Sequence, residues 1–98
     1  MREVPERVLR EWRNLPRIPL SGDDLGDDNV SRCIAYALEK GSVVHVLYAE
    51  PGNLARRSIW PKRLERVLKG SVGTDYMIAF DEIEQQDLTF RLDRVREA

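Results

Sequence analysis

The sequence predicts an α+β, mainly β fold: one or two helices leading into a small five-stranded antiparallel sheet, strongly bent or closed into a barrel. Three observations predict it. The spacing of apolar residues switches from a helical period to a period of two at Gly41. Turn residues at Pro51-Gly52, Gly70 and Gly73 then cut the remainder into short runs. Finally, 98 residues with 42% apolar content hold one small core and no second full domain.

The first segment places Val4, Val8, Trp12 and Leu15 at spacings of four, four and three, with Pro5 tolerable in a first turn. This predicts an amphipathic helix with an Arg-rich polar face. Its narrow apolar stripe suits a packing seam against the rest of the domain or against a second copy, and a homodimer is the expected outcome. Pro16 stops the helix, and Pro19, Ser21, Gly22 and Gly26 predict an irregular connection through the acidic residues Asp23, Asp24, Asp27 and Asp28. Residues 1–27 therefore read as a helix and acidic loop, and 28–98 as the domain proper. Asp28 or Asn29 is placed to cap a second helix carrying Val30, Cys33, Ile34, Ala37 and Leu38 at helical spacing, which Gly41 ends.

Strands follow at Val43 to Ala49, rich in branched and aromatic residues, and at Arg57 to Trp60, where Pro61 interrupts the ladder. Three more are predicted at Leu64 to Leu68, Tyr76 to Phe80 and Leu88 to Val95, the last by clean alternation.

Charge is balanced in total, 16 basic against 17 acidic residues, but segregated. Arg56 to Lys69 holds six bases and one acid, whereas Asp75 to Asp87 holds five acids and no base. Such a pattern argues against duplex nucleic-acid binding over the whole surface and allows one local basic patch. With 34% charged residues and no apolar run near the roughly 20 that cross a bilayer, no membrane span is expected. Charges interleaved through Met1 to Trp12 leave no core for a secretory signal, so a cytoplasmic location is expected.

No catalytic constellation emerges. His45 is the only histidine and sits inside an apolar strand; Cys33 is the only cysteine and falls among apolar helix positions. The aspartate pairs lack the spaced oxygen ligands of a calcium loop, so neither metal nor cofactor is expected. What remains is a set of arginines. Arg57 shares parity with Ile59, and Arg94 with Leu88, Phe90 and Leu92, which carries both guanidiniums toward apolar rows. Each needs an acceptor: an anionic ligand, or a carboxylate such as Asp75, Asp81 or Asp93.

The stretch from Cys33 to Val95 resembles the WYL domain, a bacterial regulatory module with an Sm-like, SH3-type bent sheet behind a short helix. The residues that carry the resemblance are Ile34-Ala35-Tyr36-Ala37-Leu38 followed by Gly41, Val44 to Tyr48, Arg57-Ser58-Ile59-Trp60-Pro61, Asp75 to Asp81 and Phe90 to Val95. Asp75-Tyr76-Met77 stands where the family has its Trp-Tyr-Leu, and no winged-helix DNA-binding domain precedes it here, so the chain resembles a stand-alone, divergent module. The resemblance implies a non-enzymatic sensor in transcription regulation, binding single-stranded nucleic acid or a nucleotide-type ligand and acting on a partner regulatory or effector protein. It implicates Arg57, Tyr76, Arg91 and Arg94, with Tyr48 and His45 at the rim. Arginine forks match phosphate, and a tyrosine beside them can stack on a base. The alternative is a structural or protein-interaction module, for dimerisation or docking, that binds no ligand.

Overall fold

The computed structural model describes residues 15–98, and the helix expected over Val4 to Leu15 lies outside them apart from Leu15 itself. Strand β1 (Arg17–Leu20) comes first, then a 3-10 turn (Gly22–Asp24) and helix α1 (Asn29–Lys40). Strands β2 (Val44–Glu50), β3 (Asn53–Lys69), β4 (Val72–Asp81) and β5 (Gln86–Arg91) follow; a second 3-10 turn (Leu92–Arg94) leads to β6 (Val95–Glu97). The sheet is antiparallel and six-stranded, ordered β5-β4-β3-β2-β6, and it is not closed. Beside β3, β1 takes the edge that β2 leaves, pairing Leu20 with Leu64 and Arg17 with Val67.

Local chemistry fixes the helix ends as expected. The Asp28 carboxylate accepts from the Ser31 backbone N–H at 3.1 Å, satisfying a first-turn donor. Gly41 adopts φ 65°, a left-handed conformation that suits glycine, and the Ser42 N–H closes back on the Ala37 carbonyl at 3.0 Å. Between these ends Ile34 and Ala37 point into the core, where they meet Val44, Val46 and Tyr48 of β2, Ile59 and Leu64 of β3, Met77 and Ala79 of β4, and Phe90. The helix thus covers the inner face of the sheet. Cys33 is half-buried beside that core, as its apolar neighbours predict.

Four expectations are corrected. The connection before the helix is not wholly irregular, because Arg17–Leu20 forms a strand; Pro19 is tolerated there because an edge strand need not donate on both sides. The two strands expected on either side of Pro61 are one, β3. Pro61 pairs with Ala79, and the register slips between Pro61 and Arg63, so Lys62 is the extra residue of a bulge where a missing N–H costs nothing. The bulge reverses the parity of β3: Arg57 and Ile59 face inward before it, Leu64 after it. Lastly, Leu88 to Val95 is not one strand, since the 3-10 turn at Leu92–Arg94 breaks it, and the strands number six, not five; the mainly β antiparallel class expected behind a helix holds, as a sheet that is not closed.

Candidate functional site

Alternation along β2 places Val44, Val46, Tyr48 and Glu50 on the inner face, and the ladder sets Val46 opposite Arg57. Glu50 and Arg57 therefore meet inside. The Arg57 guanidinium donates to the Glu50 carboxylate through Nη2 and to Asp81 Oδ2 through Nη1 at 3.2 Å; Glu84 lies 4.0 Å from Nη1. Arg57 is 7% exposed, Glu50 6% and Asp81 fully buried. One guanidinium thus faces two buried carboxylates, the arrangement that makes burying each charge tolerable. Asp81 has a second role: its other oxygen accepts from the backbone N–H groups of Ile83 at 2.9 Å and Glu84 at 3.0 Å, holding the turn between β4 and β5.

The remaining candidates fall in three places. Tyr48 is buried in the core, edge-on to Phe90 at 5.1 Å, and its hydroxyl accepts from the Arg91 backbone N–H at 2.8 Å. His45 lies on the outer face, where its Nδ1 is 2.9 Å from the Ser58 hydroxyl. Tyr76 also faces outward, opposite Arg91 on β5. Burial raises the Tyr76 hydroxyl pKa above its ordinary value, with the positive Arg91 and Arg94 opposing the rise and Asp93 adding to it. Arg91 is clasped by Asp93 through two bonds of 3.0 and 2.7 Å, which holds Asp93 below its usual range and Arg91 above its own. Arg94 is half-buried and forms no ion pair among the described residues.

The structure therefore brings Tyr76, Arg91 and Arg94 into one electrostatic neighbourhood, which Tyr48 joins from the core through its hydroxyl at the Arg91 backbone, and it keeps Arg57 and His45 apart from it. The concavities nearby are acidic. A cleft of about 480 Å³ is lined by Asp24, Asp28, Asp75 and Asp93, with Arg96 the only base among its described lining residues. Asp75, standing where the resemblance has tryptophan, receives Arg66 at 2.7 and 3.1 Å and so braces two strands of the sheet. Among the described residues no group of three or more histidine, cysteine, aspartate or glutamate side chains can hold a metal ion. No described helix is long and apolar enough to cross a membrane.

The sequence reading missed Glu50, although the signal was present: it continues the Val44, Val46, Tyr48 parity of an inward row. No family model, no curated protein and no solved structure matches the chain.

Proposed function

We propose that this chain is a non-enzymatic protein-interaction module whose sheet is a scaffold, with Arg57 holding the fold together and not receiving a ligand. The enclosure of Arg57 by Glu50 and Asp81 carries the reading. A phosphate arriving at Arg57 has to displace two carboxylates already desolvated there, and it meets an excess of negative charge. The surface left for a protein partner is the outer face of β2 and β3, where Trp60 is 38% and Leu54 56% exposed; a tryptophan is a strong anchor in protein contacts.

A second reading, a sensor of single-stranded nucleic acid or a nucleotide as the resemblance to WYL domains implies, is favoured by one observation: Arg94 forms no close ion pair among the described residues, its charge acting on both Asp93 and the Tyr76 hydroxyl. One pair of measurements separates the two. Titrating a labelled short single strand at low salt, and melting the parent beside Arg57→Ala, is expected to show no saturable binding that depends on Arg57 and a clear fall in melting temperature. Saturable binding that Arg57→Ala weakens at unchanged melting temperature overturns the scaffold reading; binding lost only in Arg94→Ala moves the function to the second.

A further inference from the structure

We infer that the edge of β4 over residues 72–75 is a docking site for an extended basic peptide segment of a partner protein, which adds there as a strand. This edge is separate from the outer face of β2 and β3, and neither role depends on the other. Strand β5 pairs with β4 only between Asp81 and Tyr76, the last pair being Tyr76 with Arg91. The 3-10 turn at Leu92–Arg94 then carries the chain away to set β6 beside β2. Because β3 stays paired with β4 as far as Val72, the first four residues of β4 have a strand on one side and, among the described residues, none on the other. The position that β5 leaves is a hollow of about 370 Å³ between residues 72–75 and the Arg91-Leu92-Asp93 step.

The backbone there is turned to receive a strand. In an antiparallel ladder successive residues direct their N–H and C=O groups to alternate sides. Leu68 donates to the Pro16 carbonyl at 2.9 Å, on the β1 side, so Val67 and Lys69 turn toward β4 and their partners Thr74 and Val72 turn back toward β3. Gly73 and Asp75 therefore turn toward the hollow. Arg91 obeys the same alternation, since its N–H points away from β4 to the Tyr48 hydroxyl. Four residues give about 10 Å of edge, and such an edge is a template for a further strand.

Charge selects the occupant. Alternation from Met77 and Ala79 puts Gly73 and Asp75 on the inner face, so a residue paired opposite either one sends its side chain to that face too. The hollow meets the acidic cleft there, sharing Asp75, Leu92 and Asp93 with it. Arg66 and Arg91 answer Asp75 and Asp93, but Asp24 and Asp28 have no ion-pair partner among the described residues. Lysine or arginine at alternate positions of the added strand enters that field, and the residue between them lies beside Thr74 and Val72 on the outer face, where Val72 is 63% exposed. A second copy adding by the same edge sets one acidic cleft against another, which like-charge repulsion opposes.

The test titrates the full chain with a labelled, end-capped Lys-Val-Lys-Val-Lys peptide by fluorescence polarisation and follows exchange of the Gly73 amide by NMR. Strand addition predicts saturable binding and slower Gly73 exchange. It also predicts an affinity lower by about tenfold or more for the same peptide N-methylated on the edge that meets β4, which keeps the charge and loses the backbone donors. Glutamate in place of lysine abolishes binding, and Asp24→Asn weakens it several-fold. Equal binding of the N-methylated peptide reduces the contact to charge attraction and overturns the inference. Absence of saturable binding, or binding that Asp24→Asn leaves unchanged, does the same. So does a free chain of dimer mass whose Gly73 exchange is already slow and speeds up on dilution, the result if a second copy holds the edge.

Discussion

Two arginine clusters sit on opposite faces of this sheet and were built by different means. Inside, Arg57 meets Glu50 and Asp81 with almost no solvent, and the three residues come from three separate strands, β3, β2 and β4. Outside, Arg91 meets Asp93 two residues further along the chain, with the two side chains 37% and 59% exposed. The first is a tertiary contact that exists only when β2, β3 and β4 are assembled. The second is local and screened, and contributes little. Facing alone therefore does not tell a ligand-binding arginine from a structural one; the count of carboxylates that reach it in the dry interior does.

Four substitutions sharpen that contrast. Arg57→Ala strands two buried carboxylates and is expected to cost about 3 to 5 kcal/mol, read as a shift in the denaturant midpoint. Asp81→Asn comes next, at about 1 to 3 kcal/mol, because Glu50 keeps Arg57 paired and the amide oxygen still accepts from the turn. Tyr48→Phe leaves the ring against Phe90 but removes the acceptor of the Arg91 N–H, for about 1 kcal/mol and a faster amide exchange at Arg91. Asp93→Ala at the exposed cluster is expected to change stability by less than about 1 kcal/mol, after allowance for solvent screening.

Acid titration sharpens the comparison further. The Arg91 bond holds the Asp93 pKa below its ordinary 3.8 in the folded protein. Its contribution is then fully present above that ordinary value and is lost as pH falls through the lower folded value. The Ser31 bonds depress Asp28 in the same direction, so the helix cap weakens over the same acidic range. Carboxyl signals followed by NMR between neutral and strongly acidic pH check both; a midpoint at or above the ordinary value for Asp93 contradicts the observed clasp.

Much of this was legible in the residues, for identifiable reasons. The helix was readable at both ends because Asp28 and Gly41 act locally, and the change of period after Gly41 announced the sheet. The inward facing of Arg57 was readable from Ile59, and Asp81 was among the carboxylates open to it. Strand β1 was not readable, since a proline-punctuated run becomes a strand only when β3 offers it an edge. Alternation does not carry to Arg94, because the 3-10 turn at Leu92–Arg94 ends the strand before it, and nothing in Leu92-Asp93-Arg94 forces that turn locally. The bulge after Pro61 was signalled by the proline, but its effect on facing appears only once β4 is in register.

The central claim, that Arg57 is a structural cation bound to buried carboxylates, is tested most directly by a double-mutant cycle between Arg57 and Asp81 in equilibrium unfolding. The account predicts that Arg57→Ala and Asp81→Ala each destabilise strongly and that the double variant loses markedly less than their sum, because removing one charge relieves the other. Additive effects, with Arg57→Ala costing less than about 1 kcal/mol as an exposed pair does, would contradict it.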